Sequence, residues 1–312
     1  MNNSVSLVIP ICNEQDNVKP LIKQLVKALK PLSLKSFEVI FIDDGSFDQT
    51  YPKLCQLKKL YSFIKIIKFK KNFGKATAYS IGFSHARNDI IITLDGDLQD
   101  DPADISNFLN SINDGYDLVV GWKTSGKGTW RKTLISRIFN QITAWTFKLQ
   151  LHDIDCPFKA YRRSVIKGLN IYSGLYRFIP IFANNYGFKV TEIKINNRPR
   201  LVGRSKFGGK RLVSGFLDFL TVFFITRFNL NPMHFFGSLA LTCLSIGTVI
   251  LSYLTVLSFQ GEKVGSRPLF QLGLLLEIMS LQFFSIGFIG EMLTRNLIRI
   301  DPDYIIDEIK DS

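Results

Sequence analysis

The feature that most restricts the fold of this chain is a stretch of 25 residues, Phe235–Phe259, without a charged side chain. A helix of this length, rising about 1.5 Å per residue, can cross the roughly 30 Å hydrocarbon core of a bilayer. Pro268–Thr294 is a second stretch of suitable length, although it contains Glu277 and Gln282. Only the loop QGEKVGSR separates the two stretches. The sequence therefore predicts a transmembrane hairpin with both ends on one side of the membrane.

Basic residues around this hairpin predict its orientation, since positively charged flanks remain in the cytoplasm. The loop holds Lys263 and Arg267, whereas the flanks hold Lys210, Arg211, Arg227, Arg295 and Arg299. We therefore expect a cytoplasmic N-terminal domain. The predicted divisions are a cytoplasmic domain at 1–211, an amphipathic juxtamembrane helix at 212–230, two spans within 231–296 (about 235–259 and 268–294) and a cytoplasmic tail at 297–312.

Two carboxylates in the second span predict one contact face. Glu277 and Glu291 are fourteen residues apart, close to four helical turns. A carboxylate at membrane depth usually faces other helices. Glu291 is expected to pair with Arg295 at i+4. Glu277 is expected to meet a first-span hydroxyl or another subunit of a homo-oligomer such as a tetramer; the hydroxyl candidates are Ser245, Thr248 and Ser252.

The N-terminal part alternates short apolar runs with helical patterns, which predicts an α/β fold with a mostly parallel sheet and crossover helices. Asn13 is predicted to cap the first helix, with Asp16 at the third helical position. The predicted strands are Ser4–Pro10, Phe37–Ile42, Ile64–Phe69, Ile90–Leu94 and Asp117–Val120.

Carboxylates follow two of these strands. In IIITLDGDLQDDPAD, Asp95 and Asp97 come directly after the strand, where ligands of open α/β sheets bind. Two nearby carboxylates suit a hard divalent cation that also contacts substrate phosphates; solvated loop acids are the alternative. Asp101 and Asp104 are interpreted instead as helix-capping residues around Pro102.

Positive charge predicts a polyanionic partner. The chain has 39 Lys and Arg against 26 Asp and Glu, a net charge of +13. Cys156–Arg211 carries thirteen basic residues and a single acid, Glu192. Basic and aromatic residues interleave in Trp130–Leu149, and Val213–Leu230 is apolar with few charges, so both are candidate interfacial helices. For Trp130–Leu149, an ordinary core helix with a basic face is the alternative.

Zinc and disulfide chemistry are not indicated. The four cysteines are scattered without metal-type spacing, which fits unpaired thiols in a reducing compartment. His85, His152 and His234 are far apart in the sequence and form no zinc motif.

An ordered set of segments resembles the family-2 glycosyltransferases, in particular the polyisoprenyl-phosphate group of dolichol-phosphate mannose synthase and bactoprenol glucosyltransferases. The segments are VSLVIPICNE, FEVIFIDDGS, NFGKATA, LDGDLQDDP, VVGWK, LHDIDCPFKAYRR, RFIP and NRPRLVGRSKFG. The resemblance covers almost the whole chain. It implies a glycosyltransferase A-type, Rossmann-like fold, and the C-terminal hairpin favours the branch anchored in the bacterial inner (plasma) membrane.

The resemblance also implies roles for individual residues. It places Asp95, Asp97 and Gln99 in a site for Mg²⁺ or Mn²⁺, and Asp97 and Asp153 in the catalytic set. The implied nucleotide-binding residues are Pro10, Glu14, Asp43, Asp44, Lys75 and Asp95. The implied phosphate- or acceptor-binding residues are Lys123, Arg131, Arg137, Arg177, Arg200, Arg204, Ser205 and Lys206.

Some positions depart from the family pattern, all on the acceptor side. Lys123 stands where arginine is usual, Asp155 and Pro157 where small residues are common, and Tyr176 where histidine is frequent. Asp153 is interpreted as orienting the acceptor or a water, or accepting a proton. A structural carboxylate paired with Arg162 or Arg163 is the alternative.

These observations predict metal-dependent, inverting transfer of a sugar from UDP-glucose or another UDP-hexose to a polyisoprenyl phosphate such as undecaprenyl phosphate, at the cytoplasmic face. GDP-mannose or a UDP-amino sugar is the alternative donor, and a non-enzymatic basic membrane scaffold is a distant alternative. Nucleic acid is not an expected partner, since binding it requires neither two spans nor an acid-lined strand edge. A processive polysaccharide synthase is disfavoured because two spans are too few for a pore and the sequence has no Q-x-x-R-W segment.

Overall fold

The computed structural model describes residues 3–123, 143, 146, 147, 149, 151–167, 173–196, 198, 210–228, 231–265 and 267–297. The chain divides into two compact units, with the boundary between Phe219 and Leu220. Most of the predicted interfacial helix at 130–149, including Arg131 and Arg137, lies outside the described residues, as do Arg200, Arg204, Ser205 and Lys206.

The first unit contains a seven-stranded sheet in the spatial order β3-β2-β1-β4-β6-β5-β7. Every neighbouring pair is parallel except the two that involve β6, which runs antiparallel to β4 and to β5. The strands are β1 (Ser4–Ile11), β2 (Ser36–Asp43), β3 (Ile64–Lys68), β4 (Ile90–Thr93), β5 (Leu118–Lys123), β6 (Lys159–Arg162) and β7 (Val190–Ile195).

Helices connect these strands, as crossover connections in a parallel sheet require. Three short 3₁₀ segments lie at Lys30–Leu32, Pro102–Asp104 and Ser173–Phe178. The helices of this unit are α1 (Val18–Leu29), α2 (Thr50–Leu60), α3 (Lys75–His85), α4 (Ile105–Asn113), α5 (Arg163–Ile166) and α6 (Ile179–Asn185).

The core lies on both faces of the central strands. All residues of β1 and β4 are buried, which explains why these strands appear in the sequence as nearly continuous apolar runs. The amphipathic helix α1 buries Leu21, Ile22 and Leu25. A core of this kind fixes the strand ends rigidly, and the strand ends carry the site residues.

The sequence predicted five strands in the correct order but missed β6 and β7. The fifth extends to Lys123, beyond its predicted end at Val120. The predicted cap of the first helix was wrong. Helix α1 begins at Val18, and Asn13 adopts a φ of 55° in the preceding loop, where its side-chain oxygen accepts a hydrogen bond from the Phe47 N–H. Asn13 therefore ties two loops together.

Helix α7 (Lys210–Phe228) contains the unit boundary, and α8 (Pro232–Phe259) and α9 (Pro268–Leu297) follow it. Pro232–Phe259 and Pro268–Thr294 are long and apolar enough to cross a membrane, as predicted. The Thr248 hydroxyl donates to Glu277 Oε1 at 2.9 Å, which confirms one of the expected partners.

The same face of α9 contacts α8 a second time. Glu291 Oε2 accepts from the Met233 N–H at 3.4 Å. A Cβ added to Gly247 would lie 3.0 Å from Glu277 Oε1, so this glycine permits the close approach of the carboxylate. Glu277 and Glu291 therefore both contribute to the packing of α9 against α8. The predicted pairing of Glu291 with the Arg295 side chain lies outside the described residues.

Candidate active site

One edge of the sheet carries most of the predicted site residues. Strands β2, β4 and β5 all end there, and the antiparallel β6 begins there, with Lys159 opposite Thr93 of β4 and Val120 of β5. The loop after β4 contributes aspartates to this edge, and the loop before β6 contributes Asp153, Asp155 and Cys156. The site is therefore assembled from strand ends that are distant in sequence.

Asp95 is paired with a cation from the neighbouring helix. Lys75, the first residue of α3, places its Nζ 2.7 Å from both carboxylate oxygens of Asp95. Burial by itself lowers the pKa of Lys75, but the attraction and hydrogen bonds of Asp95 outweigh it, so the pKa of Lys75 is raised. The Lys75 ammonium is therefore a permanent positive charge beside the first carboxylate of the Asp-x-Asp segment.

Asp97 and Gln99 lie on the turn that follows. The Asp97 side chain is buried, and its Oδ1 accepts from the Gln99 N–H at 3.2 Å. The backbone of Gln99 is fixed in turn, because its carbonyl accepts from the Arg198 N–H at 2.9 Å. The turn thus presents carboxylate and amide oxygens at the edge of the sheet.

These oxygens fit a hard divalent cation. Magnesium sites commonly use one or two carboxylates, with substrate phosphates completing the coordination. Among the described residues, no group of three His, Cys, Asp or Glu side chains could hold a metal by itself. The donor set of Asp95, Asp97 and Gln99 therefore fits a cation that is bound together with a diphosphate.

Asp100 and Lys123 form a buried ion pair that sequence analysis missed. Lys123, at the end of β5, places its Nζ 2.8 Å from Asp100 Oδ1, and the Asp100 side chain is 0% exposed. Burial raises the pKa of Asp100, against the attraction of Lys123. Burial by itself lowers the pKa of Lys123, but Asp100, together with Cys156 and Asp95, outweighs this effect, and the pKa of Lys123 is raised. The Asp100 carboxylate and the Lys123 ammonium therefore stabilise each other's charged form.

Asp153 lies beside lysines, which corrects the expected alternative pairing with Arg162 or Arg163. Arg162 instead pairs with Asp117, and Arg163 donates to the carbonyl of Arg87. Burial raises the pKa of Asp153, while Lys159 and Lys123 oppose the rise. The nearby Lys123 backbone N–H also lowers the pKa of the Asp153 carboxyl. The Asp153 carboxylate is thus held in the same cluster as Lys123.

Lys159 is the second residue that sequence analysis missed. It is 2% exposed, and its Nζ donates to the Cys156 carbonyl. Burial lowers the pKa of Lys159, and the nearby Cys156, Asp155 and Asp153 oppose that effect. The clue in the sequence was a lysine inside the apolar segment CPFKAY, where a buried position requires negative neighbours.

The arginine of the acceptor side also has an acidic partner. Arg177 Nε lies 3.2 Å from Asp155 Oδ1, and its guanidinium carbon is 5.5 Å from the centre of the Tyr176 ring. Burial by itself lowers the pKa of Arg177, but Asp155 and Tyr176 raise it overall. The departures from the family pattern at Asp155 and Tyr176 therefore lie together, around one guanidinium group.

The predicted nucleotide residues lie at the ends of β1 and β2. Asp43 is 0% exposed, its Oδ1 accepts from the Ser46 N–H at 3.1 Å, and its Oδ2 has no hydrogen-bond partner among the described residues. Pro10 lies in β1, and Glu14 Oε2 accepts from the Asn17 amide at 2.6 Å. A buried acceptor without a partner is costly, so Asp43 is suited to receive a donor from a ligand.

Asp44 has an architectural role. Its two oxygens accept from the backbone N–H groups of Phe73 at 2.7 Å and Gly74 at 3.0 Å, just before Lys75. Gly45 permits this arrangement, because its φ is +70° and an added Cβ would lie 2.4 Å from the Lys71 carbonyl carbon. Asp44 thus positions the start of α3, and with it Lys75.

Arg198 belongs to the segment NRPRLVGRSKFG, which follows β7. Its guanidinium pairs with Asp101 and donates to Gln24 Oε1 at 2.9 Å. Asp101 also accepts from the Ala103 N–H at 3.1 Å, as its predicted capping role requires. Asp104 instead accepts from the Asn196 N–H at 2.9 Å. These contacts join the loop after β7 to the Asp-x-Asp turn.

Comparisons with known proteins agree with this geometry. Residues 6–169 match the family model described as Glycosyl transferase family 2. The chain is 34% identical to the dodecaprenyl-phosphate galacturonate synthase of Rhizobium johnstonii, over 98% of this chain and 93% of the relative. It is 31% identical to the undecaprenyl-phosphate 4-deoxy-4-formamido-L-arabinose transferase of Edwardsiella ictaluri, over 98% and 94% of the two chains.

A solved structure supports the fold. Glucosyl-3-phosphoglycerate synthase from Mycobacterium tuberculosis, in complex with Mn²⁺, UDP and phosphoglyceric acid, aligns with a TM-score of 0.55 at 16% identity. The alignment covers 72% of this chain and 78% of that chain. The glycosyltransferase A-type fold predicted from the sequence is thereby confirmed.

The buried pair gives a stability prediction. Asp100→Asn leaves the Lys123 ammonium without its counter-charge, so we expect a loss of about 3–5 kcal/mol in the free energy of unfolding. Asp16→Asn is the control, because Asp16 pairs with Lys53 at 3.6 Å on the surface and should contribute less than about 1 kcal/mol. Thermal unfolding of the detergent-purified variants measures both. Equal stability of the two variants would contradict the assignment of Asp100–Lys123 as a buried ion pair.

Proposed function

The chain belongs to glycosyltransferase family 2, and from this membership we propose that it transfers a sugar from a nucleotide diphosphate donor to a polyisoprenyl phosphate. The observation that carries the proposal is the charge cluster at the sheet edge, where Lys75, Lys123 and Arg177 each lie against an aspartate. Such a site can receive phosphates without leaving its own charges unpaired. Two relatives named for dodecaprenyl and undecaprenyl phosphate support this class of acceptor.

The donor half of the site is proposed to lie at the ends of β1, β2 and β4. Pro10, Glu14 and Asp43 would hold the nucleoside, and Asp43 Oδ2, which has no hydrogen-bond partner among the described residues, would accept from the base. Lys75 and Asp95 would face the diphosphate. We propose UDP-glucose or another UDP-hexose as the donor, with GDP-mannose and a UDP-amino sugar as alternatives.

The acceptor half would lie around Asp153, Lys123 and Arg177. A lipid phosphate has a second pKa of about 6, by analogy with phosphoserine, so it is already anionic at neutral pH. One of its oxygens attacks the anomeric carbon, and a new carbon–oxygen bond forms there. The bond from that carbon to the diphosphate breaks, and its electron pair leaves with the nucleoside diphosphate. A single displacement of this kind inverts the anomeric configuration.

Fixed charges would stabilise the leaving group, because preorganised cations favour the developing negative charge. A divalent cation bound by Asp95, Asp97 and Gln99 would supply further neutralisation of the diphosphate. Asp153, whose pKa is raised by burial, would orient the acceptor phosphate or accept its residual proton. The basic residues Arg200, Arg204, Ser205 and Lys206, together with Arg131 and Arg137, are proposed to contact the phosphates as well.

Membrane attachment would bring the enzyme to its lipid substrate. Helices α8 and α9 are proposed to span the bacterial inner membrane, with the first unit in the cytoplasm, as the distribution of basic residues favours. We also propose that the chain forms a homo-oligomer through its membrane helices.

The test of the proposed function is a lipid-product assay. Purified protein is incubated with undecaprenyl phosphate and each of UDP-glucose, UDP-galacturonate, a UDP-amino sugar and GDP-mannose, and the lipid is extracted and analysed by mass spectrometry. We expect one donor to give a glycosylated lipid phosphate. Donor hydrolysis without a lipid product in every reaction would refute the acceptor assignment.

The metal assignment gives a second prediction. Asp97→Asn should reduce transfer by at least about 100-fold, because it removes an anionic ligand close to the leaving group, and EDTA should abolish transfer by the native protein reversibly. Asp114→Asn, which changes the residue that follows α4, is the control. Full activity of the native protein in EDTA would exclude a required metal.

Asp153 gives a third prediction. Asp153→Asn should abolish transfer to the lipid while donor binding, measured by calorimetry, stays within about twofold of the native affinity, since only the acceptor half is altered. Asp155→Asn serves as the comparison within the same loop and should retain partial transfer. If Asp153→Asn loses donor binding together with transfer, Asp153 belongs to the donor half.

A further inference from the structure

Glu192, the single acid between Cys156 and Arg211, makes a two-point contact with His152. Glu192 lies in β7, and its Oε2 accepts from the His152 backbone N–H at 2.7 Å. Its Oε1 is hydrogen-bonded to the His152 ring nitrogen Nδ1. The Glu192 side chain is 15% exposed and the His152 side chain is 63% exposed, so a largely buried carboxylate holds both the main chain and the ring of a solvent-exposed histidine.

The other side of the His152 ring is also held. It stacks on the indole of Trp122, with centroids 4.1 Å apart and planes inclined by 11°. Lys194 of β7 places its Nζ 5.3 Å from the centre of the same indole. His152 is therefore held between a residue of β5 and a residue of β7, two strands that pair in parallel.

Both stacked residues are followed directly by a residue of the proposed acceptor half. Trp122 precedes Lys123, and His152 precedes Asp153. The Lys123 backbone N–H lies close enough to the Asp153 carboxylate to lower its pKa. The stack and this proximity thus join the same two segments at consecutive positions, and a shift of His152 would shift Asp153 relative to Lys123.

We propose that Trp122, His152 and Glu192 form a positioning clamp that holds Asp153 against Lys123 in the acceptor half of the site. The proposal rests on the proposed function, since it assigns these residues to acceptor transfer. None of the three needs to touch substrate. Their contribution is geometric, and a displacement of about 1 Å at a reacting group can cost roughly 100-fold in rate.

The first experiment measures the clamp without substrate. Hydrogen exchange of the His152 amide and its neighbours is compared in the native protein, Glu192→Ala and Glu192→Gln. In Glu192→Ala the amide loses its acceptor, so we expect its exchange to accelerate by at least about tenfold. Glutamine keeps one oxygen acceptor, so Glu192→Gln should restore most of the protection. His85→Ala, which changes an exposed histidine at the end of α3, is the control and should leave this exchange unchanged.

The second experiment measures transfer by the same variants. We expect Glu192→Ala and His152→Ala to lower kcat by about 10- to 100-fold, with the KM for the nucleotide sugar within about twofold of native. Glu192→Gln should recover most of the lost kcat. His152→Phe keeps the stack and the backbone N–H but loses the ring hydrogen bond, so we expect a smaller loss of about threefold. This variant and Glu192→Gln decide the question if Glu192→Ala does not fold.

Three results would overturn the clamp. Unchanged hydrogen exchange at His152 in Glu192→Ala would show that Glu192 does not hold the His152 amide. A native kcat in the variants, or a donor KM that rises as kcat falls, would show that the contact does not position the acceptor half. A native protein that transfers no sugar to polyprenyl phosphate refutes the proposed function instead, and the exchange measurement still tests whether Glu192 holds His152.

Discussion

A buried charge is costly unless an opposite charge lies beside it, and the carboxyl edge of this sheet is arranged around that constraint. Lys75 lies against Asp95, Lys123 against Asp100, and Arg177 against Asp155. The two residues of each pair are at least twenty positions apart in the sequence. The pairs therefore hold strand ends and loops together. Each basic side chain can also exchange its aspartate partner for a negative charge on a ligand.

The charge pairing depends on how β6 enters the sheet. Because β6 runs antiparallel between β4 and β5, its first residue, Lys159, lies at the edge where its neighbours end. The loop before it brings Asp153 to the same place. A parallel strand in this position would put Lys159 at the far edge. The antiparallel insertion thus adds a second group of charged residues, including Lys159, to the edge where the parallel strands end.

Much of this architecture was predictable from the sequence. Buried strands such as β1 and β4 appear as apolar runs, and acids directly after a run locate the edge of the sheet. The two C-terminal helices that are long and apolar enough to cross a membrane were predicted from length and hydropathy. The resemblance to family-2 glycosyltransferases drew attention to Asp95, Asp97 and Asp153.

The rest of the architecture could not be predicted, because it depends on contacts between residues distant in sequence. Asp100 appeared as one acid among several in LDGDLQDD, and only its proximity to Lys123 of β5 distinguishes it. Lys159 required the position of β6, a strand of four residues that is too short for a periodic signal. Asn13 had the composition of a helix cap, but a tertiary hydrogen bond to Phe47 determined its conformation. Local patterns specify elements, and charges at strand ends acquire partners only when the sheet forms.

The insertion of β6 also has a consequence for folding during synthesis. Strand β4 ends at Thr93, but its partner β6 begins at Lys159, so the side of β4 that faces β6 has no strand to pair with until that later segment has been made. Unpaired strand edges and late, long-range pairings slow folding and expose a chain to aggregation. The part of the sheet formed by β1 to β4 can assemble first, and the proposed acceptor half is completed when β6 pairs with β4. A nascent chain interrupted before Lys159 would therefore hold its proposed donor residues on an open sheet, before the proposed site for the lipid phosphate exists.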